Sequence, residues 1–369
     1  MSSLIKLDIA EVKLLLGCAR TQLETETIAQ IKQIVETEAI AWDYIIAMAQ
    51  KHRILPLLYR NLNSFCKQAL PRHIHHQLQG QFFANTRNNF RLTQELLRLL
   101  PLFTQRSIRV IPYKGTVLAA TVYGKVALRQ VWDLDLLIAP TDVSAACQLL
   151  EAEGYQIRES FDREKAFVCP ETQIEVDLHW GLTPIYFPIP FDFEQFWQRR
   201  QEITLVDTRL VTFSAEDLLL ILCIQVAKDC WERRQHLEHL SKVCDVAELL
   251  RDTSDLDWGY IFNQAEVWDA KRIVYFGLGL AQKLLAASVP EKILTEIEAD
   301  SQTQILLRQV CGQLFGEIDR AFASNDNSLL DVKLRLRQLQ FYWILRDRPR
   351  YKLQYLAAIL QTLTKALSK

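Results

Sequence analysis

Apolar residues recur at three- and four-residue intervals through the first hundred positions. Ile28, Ile31 and Ile34 keep this spacing, and so do Trp42, Ile45, Ile46 and Ala49. Each set marks one face of a helix. Leu92, Leu96, Leu97 and Leu100 carry it through a helix expected over 89–103, with Pro56 and Pro71 as punctuation. Four or five helices are expected over residues 1–105. At Ile108 the period changes to that of strands. A short strand over 108–113 leads into Lys114-Gly115-Thr116 and a short helix ending at Tyr123-Gly124. A strand over 132–138 follows, then a helix capped by Thr141-Asp142 and stopped by Gly154. Three strands are expected over 155–161, 165–169 and 173–180.

Beyond these, residues 203–213 read as a hairpin turning at Asp207-Thr208. Ser214-Ala-Glu-Asp217 opens a helix with acids in its first turn. Leu218 to Asp229 is apolar almost all round, as in a buried helix. The remainder is helical, with breaks near Pro290 and at 325–328. The fold class expected is α+β: a helical region over 1–105, a small domain with a mixed sheet over 106–213, and a helical domain over 214–369.

Composition narrows the function. The chain has 369 residues, a net charge of −1 and a pI near 6.7. No global field draws it to nucleic acid or to an anionic membrane, so a long nucleic-acid partner is disfavoured. The longest apolar run, Leu218 to Ile224, is too short to span a bilayer. The eight cysteines include no C-x-x-C pair and read as buried apolar residues in a reducing compartment. The opening Met-Ser-Ser-Leu-Ile-Lys-Leu-Asp carries charges where a signal peptide is apolar. A cytoplasmic protein is expected.

The apolar strand over 132–138 is interrupted by Asp133 and Asp135. Two residues apart on a strand, they share a face, with Leu134 and Leu136 turned to the core. Carboxylates so placed are costly unless a cation meets them, and magnesium suits oxygen ligands. The strand Ile174-Glu-Val-Asp-Leu-His-Trp180 alternates in the same way, with Glu175, Asp177 and His179 on one face. Asp133, Asp135 and Asp177 together would hold one or two metal ions, the arrangement that two-metal phosphoryl transfer requires. Lys114-Gly115-Thr116 at a strand-to-helix turn suits an anion. Lys114 and Arg129 are cations placed to neutralise a triphosphate.

Plainer readings stand beside these. Asp133 and Asp135 could line an edge strand. Glu175 could be a solvated neighbour of Asp177. His179 could touch phosphate, orient Asp177 or be a satisfied core histidine. Arg129 could pair with an aspartate instead of phosphate, and Trp132 and Trp180 read as packing residues. His73, His75 and His76 lack a partner at ligand spacing. His236 and His239 read as solvent-facing. Lys228, Arg233 and Arg234 suit the end of a helix, and Arg346 to Lys352 reads as a solvated basic face.

Lys114-Gly115, Arg129, Asp133-Leu-Asp135-Leu-Leu and Asp177-Leu-His-Trp180, in this order, resemble the nucleotidyltransferase superfamily with the polymerase-β-type fold. More narrowly, the set resembles the bacterial "uncharacterised nucleotidyltransferase" family. The likeness extends to Lys51-His-Arg-Ile-Leu-Pro-Leu-Leu-Tyr59, Asp257-Trp258 and the basic segment Arg346-Asp-Arg-Pro-Arg350. The resemblance implies a central nucleotidyltransferase-like sheet domain between helical regions. It also implies Mg2+-dependent transfer of an NMP from an NTP, ATP among them, to an acceptor with release of pyrophosphate. By position, Asp133 and Asp135 would bind metal and Asp177 would align or deprotonate the acceptor hydroxyl. Gly115 and Thr116 would stand where the superfamily has Gly-Ser, and Lys228 could reach the triphosphate. Thr for Ser keeps the hydroxyl, while the 18 residues from Gly115 to Asp133 exceed the usual gap. The acceptor, a small molecule or a protein side chain, is not named by the resemblance. Other classes to weigh are a catalytically weak nucleotide- or partner-binding module and a toxin-like nucleotidyltransferase.

Overall fold

The computed structural model describes residues 9–185, 187–232, 237–314, 338–349, 351–353 and 356–357. Helices come first: α1 (Ala10–Cys18), α2 (Thr25–Thr37), α3 (Trp42–Lys51), α4 (Leu55–Phe65) and α5 (Arg72–Gln105). Helix α5 is 34 residues long and carries Pro101 inside it. Periodicity predicted only its second half. Upstream of Phe83 only Ile74 and Leu78 are buried, too thin an apolar stripe to mark a helix on its own.

The sheet follows, as β1 (Val110–Pro112), α6 (Gly115–Thr121), β2 (Asp133–Ile138), α7 (Val143–Ala152), β3 (Gln156–Ser160), β4 (Glu164–Val168) and β5 (Glu175–His179). Its order is β1-β2-β5-β4-β3. Strands β2 and β5 run parallel, and the other pairs are antiparallel. Leu134, Leu136, Val176, Leu178 and Phe167 form one core with Leu92, Leu96, Leu99 and Phe103 of α5 and Leu149 and Leu150 of α7. One face of the sheet is thus sealed by helices. Period-2 alternation sends the acids of β2 and β5 to the other face. Gly154 stops α7 as expected, at φ +86°. The Asp142 side chain, however, makes no capping hydrogen bond; a short 3₁₀ turn over Pro140–Asp142 leads into the helix instead.

A short helix that the pattern did not signal, α8 (Phe193–Arg199), precedes the hairpin β6 (Gln201–Leu205) and β7 (Thr208–Thr212). The turn falls one residue earlier than expected, at Val206 and Asp207, both left-handed, as a tight hairpin demands. The hairpin braces β1: Thr212 Oγ1 donates to the Pro112 carbonyl at 2.8 Å, and Phe213 meets Tyr113 edge to face at 5.2 Å.

The last helices are α9 (Ala215–Glu232), α10 (Ser241–Asp252), α11 (Trp258–Val267), α12 (Lys271–Leu285), α13 (Glu291–Ala299) and α14 (Ser301–Gln313); residues 338–345 are also helical. The protein is α+β, a mixed sheet flanked along the chain by helical regions. It divides into two compact units. One comprises Met1–Phe82, Leu222–Asp255 and Phe262–Pro349; the other comprises Phe83–Ile221, Leu256–Ile261 and Arg350–Lys369. The sheet lies wholly in the second. Among the described residues no helix is long and apolar enough to cross a membrane.

Two surface expectations are corrected in the first unit. Arg346 is fully buried and donates to the carbonyls of Trp268 and Asp269, each at 3.0 Å. It ties helices together and does not belong to a solvated basic face. His239 is largely covered, with Nδ1 2.9 Å from the Lys51 carbonyl. His236, Arg233, Arg234, Arg350 and the break at 325–328 lie outside the described residues. All eight cysteines are free, and all but Cys169 are buried.

Candidate active site

Asp135 and Asp177 are register partners across the parallel β2–β5 pair, as are Asp133 and Glu175. In-register residues of parallel neighbours face the same way, so the acids converge. Ligand atoms of Asp135, Asp177 and His179 all lie within 4.8 Å of one another. The cross-strand neighbour of Asp177 on β4 is Ala166, which leaves room over the carboxylate. Glu175 pairs with Arg158 of β3, in line with its reading as a solvated neighbour.

Two cations meet Asp135. Lys114 Nζ is 2.8 Å from Oδ1, and His179 Nε2 is 3.1 Å from the same atom. His179 Nδ1 faces Glu164 Oε2 at 3.3 Å, and Tyr113 flanks the ring at 6.1 Å. Lys114 Nζ also lies 4.8 Å from the Tyr113 ring centre. The hairpin that braces Tyr113 therefore helps to fix both cations.

These contacts split the three acids electrostatically. Burial resists the charged form of Asp135, but Lys114 and His179 hold its pKa well below the usual carboxylate range. Burial, and then the charge of Asp135, push Asp133 up to about 6, against the pull of Lys114 and Arg129. Asp177 is pushed up to about 7 by burial and by the charges of Asp135 and Asp133. Burial lowers His179, yet Tyr113, Asp135 and Glu164 outweigh it and raise its pKa. Asp177 Oδ1 is buried without a hydrogen-bond partner. A buried bare carboxylate oxygen beside two further acids is costly by itself. The donors are hard oxygens, so the set fits a divalent cation such as Mg2+.

Gly115 sits at φ +54°, where side chains are strained. A Cβ there would meet the Asp133 carbonyl at 3.1 Å and Val131 Cγ1 at 3.2 Å. The glycine lets the turn lie against the start of β2. Thr116 is buried, with Oγ1 unpartnered.

Sequence reasoning missed what holds Arg129. Asn85, Asn88 and Asn89 lie on one face of α5 at i, i+3, i+4 spacing. Asn85 Nδ2 donates to the carbonyls of Ala127 (3.0 Å) and Arg129 (3.3 Å). Asn88 Nδ2 donates to Val131 (2.9 Å), and Asn89 Nδ2 to Val126 (2.5 Å) and Arg129 (2.7 Å). Three amides thus grip the irregular backbone that delivers Arg129 and Asp133. An asparagine trio at helical spacing, followed by a loop with unmet carbonyls, was the available signal.

Trp180 packs against the sheet's core, as expected. Trp132 does not: it is 59% exposed beside Asp133. His73 and His76 are exposed on α5, and His75 Nε2 meets Asn63 Oδ1 at 2.9 Å. Lys228 belongs to α9 within the first unit, so its part in this site rests on the resemblance alone.

Residues 38–286 match the family described as "Uncharacterised nucleotidyltransferase". The chain belongs to this nucleotidyltransferase family. The family region contains the whole sheet and every acid described above. Among curated proteins none matches. Two solved structures are similar to this nucleotidyltransferase. One is the lincosamide antibiotic adenylyltransferase LnuA in its lincomycin-bound form, at 19% identity and TM-score 0.32, covering 43% of this chain and 97% of that one. The other is an antigenic nucleotidyltransferase-like protein from Paracoccidioides brasiliensis, at 16% identity and TM-score 0.36, covering 54% of this chain and 93% of that one.

Proposed function

We propose that the chain is a Mg2+-dependent enzyme that moves an NMP from an NTP such as ATP to a hydroxyl-bearing acceptor, releasing pyrophosphate. The observation that carries this is the register match of Asp135 with Asp177, which brings two acids together, with Asp133 two residues earlier on the same strand, in a chain of the nucleotidyltransferase family. Asp133, Asp135 and Asp177 would hold two magnesium ions, which when bound supply charge stabilisation along the triphosphate and at the attacking oxygen.

The residues' own work follows from their surroundings. Asp177, whose Oδ1 is buried without a hydrogen-bond partner, would align or deprotonate the acceptor hydroxyl. Lys114 keeps Asp135 charged and anchors the turn that Gly115 and Thr116 form. That turn aims backbone N–H groups toward a phosphate. Arg129, whose carbonyl is held by Asn85 and Asn89, would contribute its guanidinium to the triphosphate.

The near-neutral charge favours a small molecule or a single protein side chain as acceptor over a long nucleic acid. Free, mostly buried cysteines fit a reducing cytoplasm.

The test is incubation with each α-labelled NTP and Mg2+ over a panel of hydroxyl acceptors, reading pyrophosphate. The wild type is expected to release it and Asp135→Ala to lose that release. Equal release by both overturns the proposal. Nucleotide binding without turnover on any acceptor favours a binding module.

A further inference from the structure

Glu164 opens β4 and is the register partner of His179 across the antiparallel β4–β5 pair. Its Oε2 lies 3.3 Å from His179 Nδ1, while His179 Nε2 lies 3.1 Å from Asp135 Oδ1. The ring is therefore clamped between two carboxylates. Each ring nitrogen faces a carboxylate oxygen, so neither is turned toward an ion. His179 is thus removed from the ligand set, although it belongs to the same close cluster as Asp135 and Asp177.

The contacts on Asp135 are one-sided. Lys114 Nζ and His179 Nε2 both fall on Oδ1. The second oxygen, Oδ2, is left for the cation. A rotation of the His179 ring would leave Oδ1 held by Lys114 alone, one contact instead of two against turning of the carboxylate. Glu164 opposes that rotation from the far side of the ring. The His179 side chain is 10% exposed and edge-on to Tyr113, so few other orientations are open to it.

Resting on the metal-dependent reading proposed above, we infer that Glu164 is a positioning residue. It locks His179 against Asp135 Oδ1, so that the metal site is built from carboxylate oxygens alone, with Asp135 presenting Oδ2. Partners that hold a metal-ligating carboxylate in place cost about 10–100-fold in metal affinity when lost; His179 is such a partner of Asp135, and Glu164 acts on it from one contact further out.

The experiment is a Mn2+ titration of the full chain, with free Mn2+ read by electron paramagnetic resonance. Pyrophosphate release as a function of Mg2+ and melting in metal-free buffer are read alongside. Glu164→Ala is expected to weaken Mn2+ about 10-fold or more and to raise the Mg2+ requirement in step, with the melting temperature little changed. Glu164→Gln, whose amide oxygen still accepts from Nδ1, is expected to recover most of the affinity. A merely structural glutamate would lower the melting temperature in both variants and leave the Mn2+ affinity of the folded protein within about twofold of wild type; that result overturns the inference. If the alanine variant does not fold, Glu164→Asp, one methylene shorter, is titrated in its place. Should the wild type bind no Mn2+ and release no pyrophosphate, the metal-dependent function itself is wrong. Normal wild-type behaviour with an unaltered Glu164→Ala sinks only the role of Glu164.

Discussion

Asp135 and Asp177 face each other as register partners on β2 and β5, the one parallel pair in the sheet, yet their proton affinities are driven in opposite directions. Asp135 touches Lys114 and His179, whereas Asp177 Oδ1 touches no donor. On the proposed reading, proximity lets the pair share an ion, and the unequal partners hold Asp135 in its charged form while burial and neighbouring charge push Asp177 up to about 7.

Replacement of either acid by asparagine should therefore cost activity by different routes. Asp135→Asn and Asp177→Asn are each expected to lower kcat for pyrophosphate release at least about 100-fold. The Asp135 variant should also lose Mn2+ affinity more strongly, because its charge is the one held permanently. A comparison of kcat, Mg2+ dependence and Mn2+ binding for the two variants checks this. Near-wild-type kcat in both would remove the acids from the chemistry.

Stability of the metal-free protein should fall as pH rises through the neutral range. Asp177 titrates near 7 in the fold against 3.8 ordinarily, and Asp133 near 6. Between about pH 4 and 7 the folded state holds more protons than the unfolded chain, so the unfolding free energy declines with pH. His179, also raised, adds in the same direction: its contribution is whole below 6.5 and is lost as pH climbs through its folded value. Asp135, depressed, acts only at the acid end, where its contribution is lost as pH drops below 3.8. Asp177→Asn is expected to melt roughly 2 °C or more above wild type at pH 8 without metal, and no higher at pH 4.5. Saturating Mg2+ should narrow the pH 8 gap by stabilising the wild type more than the variant. Scanning calorimetry at the two pH values, with and without Mg2+, is the check.

The asparagine grip on the strand's approach gives a separable prediction. Asn89 is buried and reaches two carbonyls. Asn89→Ala leaves both without that donor, at a cost of about 1–3 kcal/mol. Because those carbonyls belong to the stretch carrying Arg129, KM for the NTP should rise more than kcat falls. Asn85→Ala, on the same stretch but only partly buried, should show a milder form. Steady-state kinetics and urea melts together decide; a loss of stability with unchanged KM would make the grip purely structural.

Much of this was legible in the sequence because two periods signal different things. Alternation in 174–180 placed Asp177 and His179 on one face and Val176 and Leu178 on the other, and the fold keeps that split. The interruption of an apolar strand by Asp133 and Asp135 flagged the site, since only convergence on a cation makes such residues tolerable. Glu164 was not legible. Its importance comes from lying opposite His179 in an antiparallel register, and register between distant strands is fixed by tertiary packing, not by local pattern. The same holds for the asparagines of α5, whose partners lie some forty residues downstream. Arg346 was misread because a basic cluster resembles a solvated face, while carbonyls at the turn by Trp268 and Asp269 give one member of it a buried berth.

Gly115 offers the sharpest separation of backbone from side chain. Its φ of +54° costs a non-glycine residue about 1–2 kcal/mol, and a Cβ would press on the Asp133 carbonyl at 3.1 Å. Strain alone would lower stability. Contact with Asp133 adds a second effect, a shift at the start of β2 next to the first acid. Gly115→Ala is thus expected to lose both melting temperature and metal affinity. Gly124, also left-handed at φ +69° but with open space where a Cβ would sit, is the control: Gly124→Ala should lose stability by strain and keep Mn2+ affinity. Melting and Mn2+ titration of the two variants side by side decide the matter. If Gly115→Ala binds Mn2+ as well as Gly124→Ala does, the turn serves the fold and not the geometry of Asp133.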